Sequence, residues 1–282
     1  MNHRATFPSA ALFLALACAK QEPPPPPPPP PPGPPAAVRV TAADYSFQMP
    51  DTLTAGPTTF TLANTGKELH HLQLIRLEEG KTPADLASLK PGTPPPAWMV
   101  LVGGPNPAAP SHEVVTSVDL APGNYVAVCF IPSPPPGDLK PHVLKGMVHP
   151  FTVVASTEAR AMPEAHFTIT LKDYDFAFSA PIPAGEHDIK IVNAGPQEHE
   201  IVIMKLAPGK TPKDMVDWFF KGSKEPPPAD PVGGASGLSP NKEAVIHVNL
   251  TPGEYALYCF VEDAKDGKMH LEHGMMKQFT VQ

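Results

Sequence analysis

The chain has 282 residues, 41% of them hydrophobic and 17% charged, with 42 prolines and a formal net charge of −7. That length supports two ordinary domains, each with its own core, and a proline share far above the usual ~5% signals linkers and loops. The acidic balance excludes binding of nucleic acid or of an anionic membrane through basic patches, and it favours a basic partner.

Residues 1–17 carry His3 and Arg4 followed by AALFLALA, an apolar run too short to span a bilayer and suited to a signal-peptide core. LALAC, which ends at Cys18, resembles the bacterial lipobox, whose cysteine becomes the lipid-modified N-terminus; the alternative is an ordinary cleaved leader with an incidental cysteine. Residues 18–37 then form the lipid anchor and its stalk. Residues 23–32 are unbroken proline, a polyproline II rod of roughly 30 Å. The expectation is a protein anchored by lipid to a bacterial membrane, in the periplasm or at the outer membrane.

From Val38 onward the sequence repeats itself. DYSF at Asp44 matches DYDF at Asp173, NTGKELHH at Asn64 matches NAGPQEHE at Asn193, and GKTP recurs at Gly80 and Gly209. PGNYVAVCF and GMVHPFTV have later copies in PGEYALYCF and GMMKQFTV. This is a tandem duplication, with domains at residues 38–155 and 166–282 and a linker at 156–165. Within each copy the strands are short and bounded by turn signals. The expected class is all-β: two tandem Greek-key β-sandwiches, each with one short helix insertion. Thr82 with Asp85, and Thr211 with Asp214, read as capping boxes with Pro83 or Pro212 at the first helical position. Leu86 and Leu89, or Met215, Trp218 and Phe219, then face the sandwich, and Gly222 ends the second helix.

Cys129 and Cys259 fall one to each repeat, so no disulfide forms within a repeat; they are buried, paired with each other, or bound to a metal. Each closes an apolar strand. Each is followed by a loop, then by His142 or His270, and five positions later by Met147 or Met275. Thiolate, imidazole and thioether in one recurring order suit copper cycling between two oxidation states. A further imidazole comes from His70 and His199, each six positions after the Asn of the Asn-x-Gly turn. His71 has no counterpart, because Glu200 takes its place.

These residues resemble the cupredoxin family, most closely its plastocyanin-like members. Asn-x-Gly before the first His, PG-x-Y-x-x-x-C, a His, four residues, Met and a last apolar strand all recur in both repeats. The resemblance implies two type 1 copper sites, one held by His70, Cys129, His142 and Met147, the other by His199, Cys259, His270 and Met275. It departs in the loop from Cys to the second His, which has twelve residues in the first repeat and ten in the second. These loops are longer than in family members, with His273 or Glu272 as local candidates for another ligand. The implied function is one-electron transfer with a redox protein partner. Alternatives are copper storage or delivery, and a metal-free binding module. Multicopper oxidases and copper nitrite reductases also repeat this domain, but they flank the Cys with His and carry His-x-His pairs. Here the neighbours are Val128, Phe130, Tyr258 and Phe260, so the expectation is a protein that is not an enzyme.

Overall fold

The structure is a computed structural model that describes Met1 and residues 30–282, apart from 79, 89–92, 94, 135–136 and 224. The expected signal peptide, the lipidation residue Cys18 and residues 23–29 of the stalk lie outside the described residues. The chain divides into Met1–Pro31 and one compact unit, Pro32–Gln282, which holds both repeats.

The first repeat contributes β1 (Ala36–Ala43), β2 (Ser46–Gln48), β3 (Thr52–Thr54), β4 (Gly56–Asn64), β5 (Gln73–Leu77), β6 (Met99–Gly103), β7 (Glu113–Leu120), β8 (Gly123–Val128) and β9 (Val148–Val154). The second contributes β10 (Phe167–Lys172), β11 (Asp175–Phe178), β12 (Gly185–Asn193), β13 (His199–Leu206), helix α1 (Pro212–Lys221), β14 (Ala229–Leu238), β15 (Glu243–Leu250), β16 (Gly253–Tyr258) and β17 (Met276–Val281). They form two sheets, one ordered β11-β10-β12-β15-β7-β4-β1-β2 and the other β17-β16-β13-β14-β6-β5-β8-β9-β3.

Side-chain alternation explains the first sheet. In β4, Thr58 and Phe60 point inward between half-exposed neighbours, and in β12 Ile189 and Ile191 do the same, as a strand with one covered face requires. In β5 and β13 almost every residue is buried, because the outer face of the second sheet is covered as well. In the second repeat Val202, Met204, Tyr258 and Met215 of α1 form that outer cluster; in the first, Ile75, Leu77, Val126 and Leu86 do.

The inserted helix differs between repeats. In the second repeat α1 carries a full capping box, with Thr211 N–H donating to Asp214 Oδ2 at 2.7 Å, and Gly222 ends it in the left-handed region. In the first repeat Thr82 N–H donates to Asp85 Oδ2 at 2.9 Å, yet the turn at Pro83–Ser88 is a 3₁₀ helix rather than α. Leu89 lies outside the described residues.

The repeats join edge to edge in both sheets. β7 pairs antiparallel with β15, setting Val115 opposite His247, Thr116 opposite Ile246 and Ser117 opposite Val245. In the other sheet Val102 of β6 pairs with Leu238 of β14, and Pro105 bridges to Ala235. Ile246 is the counterpart of Thr116 and Ala235 the counterpart of Pro105. The seam therefore has a local twofold axis, the relation that makes each partner's contacts reciprocal. Ahead of β1, Gly33 is clasped by the inter-repeat linker: its N–H donates to Ala159 O at 2.8 Å, and Ala161 N–H donates to its carbonyl at 2.9 Å.

Candidate metal centres

Each first histidine follows a turn locked by asparagine. Asn64 Nδ2 donates to Glu68 O at 2.7 Å and Ala108 O at 2.8 Å, while its Oδ1 accepts from Gly66 N–H at 2.8 Å. Asn193 makes the same bonds to Gln197 O, Leu238 O and Gly195 N–H. A methyl group on Gly66 would stand 2.8 Å from His70 Nε2, and one on Gly195 2.6 Å from His199 Nε2. The turn thus packs directly on the imidazole, which only glycine permits.

The cysteine loop is closed by three backbone bonds that recur in both repeats. Val143 N–H donates to Cys129 O at 2.7 Å, Met147 N–H to His142 O at 3.0 Å and Cys129 N–H to Met147 O at 3.3 Å. Leu271 to Cys259, Met275 to His270 and Cys259 to Met275 repeat the set at 3.0, 3.0 and 3.3 Å. Loop length is therefore immaterial to the placement of the loop ends.

His70, Cys129 and His142 bring their ligand atoms within 4.8 Å of one another, and His199, Cys259 and His270 do the same. All six are fully buried, as are Met147 and Met275. In the first group the imidazoles face each other through Nδ1 at 3.1 Å, and Cys129 Sγ lies 3.4 Å from His142 Nδ1. The outer nitrogens meet carboxylates: His70 Nε2 is 3.1 Å from Asp44 Oδ1, and His142 Nε2 is 2.8 Å from Glu68 Oε2. A carboxylate only accepts, so each ring carries its proton on Nε2. Burial lowers the His70 pKa and pushes the Cys129 thiol up to about 12. The inner face therefore brings His70 Nδ1, His142 Nδ1 and the Cys129 sulfur together. Nitrogen and sulfur donors grouped in this way are those that suit copper.

The second group is similar but not identical. His199 Nδ1 and His270 Nδ1 are 3.0 Å apart, Cys259 Sγ lies 3.4 Å from His270 Nδ1 and 3.9 Å from His199 Nδ1, and His199 Nε2 is 2.7 Å from Asp173 Oδ1. His270 Nε2 is buried without a hydrogen bond among the described residues, with Asp263 Oδ2 3.7 Å away. Burial first, and the facing His199 second, pull its pKa down to about 4, and burial raises the Cys259 thiol. Gln197 stands where the first repeat has Glu68, and it bonds Asp173 and Asp263 rather than a ring.

His71 and Glu200 hold the sulfurs. Their backbone N–H groups donate to Cys129 and Cys259 Sγ, each at 3.4 Å. Their side chains accept the N–H of the residue after each cysteine, Phe130 to His71 Nε2 at 2.8 Å and Phe260 to Glu200 Oε1 at 3.0 Å. Burial lowers the His71 pKa to about 3 and raises that of Glu200 to about 7.

His273 and Glu272 are not part of the second group: His273 Nε2 meets Asp266 Oδ1 at 3.1 Å, and Glu272 Oε2 accepts from Met269 N–H at 2.9 Å. Cys129 and Cys259 are both free thiols, so they do not pair with each other. Sequence reasoning missed Asp44 and Asp173, although the recurring Asp-Tyr pair was the signal. Tyr45 and Tyr174 of those pairs also pack at an angle against His142 and His270, at ring separations of 5.2 and 5.4 Å.

No family model matches the chain, and no curated protein does either. Solved structures do. Auracyanin from the photosynthetic bacterium Roseiflexus castenholzii is 17% identical over 43% of this chain and 99% of its own, at a TM-score of 0.32. A blue copper oxidase from Nitrosomonas europaea is 13% identical over 88% of this chain and 85% of its own, at a TM-score of 0.27. A copper-containing nitrite reductase from Thermus scotoductus is 14% identical over 87% of this chain and 61% of its own, at a TM-score of 0.24. The expectation of a non-enzyme is corrected here: the structures matched along most of this chain include an oxidase and a reductase.

Proposed function

We propose that the protein is an extracytoplasmic copper redox protein that takes up and releases single electrons at two type 1 sites. One site is His70, Cys129 and His142 with Met147; the other is His199, Cys259 and His270 with Met275. Each sits in a Greek-key sandwich domain, at residues 38–155 and 166–282. Bound copper supplies a one-electron couple. The chain supplies the rest: Asp44, Glu68 and Asp173 orient the rings, His71 and Glu200 fix the sulfurs, and full burial keeps water out. A scaffold whose ligands are held before and after the electron arrives needs little rearrangement. The observation that carries this reading is the pair of inward-facing Nδ1 atoms, 3.1 and 3.0 Å apart in the two repeats, each pair beside a buried cysteine sulfur.

The experiment is metal analysis and visible spectroscopy of residues 36–282. Two coppers and an intense thiolate-to-copper band are expected, with Cys129→Ser and Cys259→Ser each removing about half of the band. A protein that stays colourless and copper-free after reconstitution refutes the reading.

The proposal includes a tether: the leader at residues 1–17, lipid on Cys18 and the proline stalk hold the protein at a bacterial membrane, in the periplasm or at the outer membrane, where a basic redox protein meets its acidic surface. Cell fractionation checks this. Cys18→Ser is expected to release the protein into the soluble fraction, and retention in the membrane fraction contradicts the anchor.

A further inference from the structure

The loop that follows each cysteine ends in a short 3₁₀ turn, His142–Lys145 in the first repeat and His270–His273 in the second. The two loops keep the same frame. Ser133 N–H donates to Lys140 O at 3.1 Å, and Asp263 N–H donates to Lys268 O at 2.7 Å. Lys140 N–H donates to Asp138 Oδ1 and Lys268 N–H to Asp266 Oδ1, both at 3.1 Å. Ser133, Asp138 and Lys145 are therefore the counterparts of Asp263, Asp266 and His273. In the first repeat the trio is closed by its own ammonium: Lys145 Nζ is 2.7 Å from Asp138 Oδ1, hydrogen-bonds Ser133 Oγ and lies 4.6 Å from the centre of the Tyr45 ring.

The second repeat gains a carboxylate and loses the ammonium. His273 replaces the lysine and stacks on Tyr174 at 4.9 Å between ring centres, and Asp263 replaces Ser133. One ligand atom from each of Asp263, Asp266 and His273 lies within 4.8 Å of the others. Asp263 is buried, whereas the Asp266 and His273 side chains are 38% and 27% exposed, so the group opens to solvent on one side. Tyr174 and Lys265 N–H hold the Asp263 carboxylate in place. The exposed Lys268 comes to 3.8 Å from Asp266 Oδ2, beyond hydrogen-bond range. A separate feature points into the same place. On the fully buried His270 ring, Nε2 has no hydrogen-bond partner among the described residues, and Asp263 Oδ2 stands 3.7 Å from it. A buried polar atom of this kind calls for an ion or ordered water beside it. Its counterpart, His142 Nε2, has Glu68 Oε2 at 2.8 Å.

We propose that Asp263, Asp266 and His273 form a surface site for a divalent cation of the zinc class, which takes in the second repeat the place that the Lys145 ammonium takes in the first. The donors select the class. Imidazole combined with carboxylate suits zinc and its neighbours, whereas magnesium and calcium take oxygen ligands. Three protein ligands leave the cation a position for water, which provides a hydrogen-bond partner for His270 Nε2. The site uses none of the atoms that face Cys259, and nothing in it is oxidised or reduced, so it stands apart from the copper reading.

The probe is Zn²⁺, added to the full chain after copper loading and reduction, and followed by NMR of the assigned histidine rings. A saturable shift of the His273 ring is expected, and magnesium at the same concentration should leave that ring unmoved. His273→Lys, which installs the residue of the first repeat, is expected to weaken this zinc binding by more than about 10–100-fold, the usual cost of losing even an outer-shell partner. Zinc should raise the melting temperature of the unaltered chain, as a ligand of the folded state does, and should raise that of His273→Lys less. A His273 ring that does not respond to zinc in the unaltered chain overturns the proposal without recourse to any variant. So does an unweakened zinc affinity in His273→Lys, or an equal shift with magnesium. Shifts confined to His70, His142, His199 and His270 put zinc in the buried groups instead and likewise overturn it. A chain that takes up no copper refutes the copper reading alone, because the His273 ring still reports on this site.

Discussion

Gly66 and Gly195 fix how closely the asparagine turns approach the first histidines. An added methyl at Gly66 would also come within 2.3 Å of Asp44 Oδ1, so Gly66→Ala must separate His70 from the carboxylate that sets its tautomer. It is expected to weaken copper binding at the first centre by about 10–100-fold, as read by competition titration, with the second centre unaffected. Glu68 bears on the same centre through charge. Replacing it by glutamine removes a negative group from the His142 ring, and less negative charge favours reduced copper. Glu68→Gln is therefore expected to raise the potential of the first centre in voltammetry at low salt; a lowered potential contradicts the argument. The thiols make a third expectation. Burial holds Cys129 near 12 and raises Cys259, so both thiols are protonated at neutral pH, whereas burial keeps His70, His199 and His270 neutral there. Copper must displace about one thiol proton per site, and affinity at each site should fall about tenfold per pH unit as pH drops through the neutral range. Calorimetry in buffers of different ionisation enthalpy measures that release, and no release contradicts it.

Secondary-structure elements were legible to unequal degrees. The capping box at Thr211 is readable because Thr, Pro and Asp act within one turn, and α1 forms where it directs. Thr211→Ala is expected to cost about 1 kcal/mol, a fall of about 2–4 °C in melting temperature for a chain of this size. The visible band should not change, because α1 covers the outer face of its sheet. The matching signals at Thr82 did not yield an α-helix in the first repeat, where the turn is 3₁₀. A cap satisfies orphan donors but does not set the pitch beyond it, and packing does. The long cysteine loops, read as residue counts, say nothing of how their ends are held. Their ends are set by long-range backbone bonds, such as Cys129 N–H to Met147 O, which no count reveals.

At the scale of the whole molecule, the duplication was plain in the sequence and the seam was not. Edge residues such as Val115, Thr116 and Ser117 alternate like those of any other strand, and nothing local says that they pair with a copy of themselves. The local twofold has a direct test. Without the second repeat, β6 and β7 become open edges, and the same residues can pair with a second molecule. The first repeat alone, residues 38–155, is expected to sediment as a dimer, and a stable monomer contradicts the seam geometry. In the intact chain both sheets run through both repeats, so calorimetry should find one unfolding transition rather than two.

The clasp at Gly33 bears on how the chain carries mechanical load. Any pull transmitted along the residues before Pro32 reaches Gly33 first, and Gly33 is hydrogen-bonded on both sides to residues 159 and 161 of the linker. Tension is thus shared with the segment between the repeats before it reaches β1. No copper-ligand candidate lies on that segment or on β1, so parting the clasp under force is expected to leave the geometry of both centres unchanged.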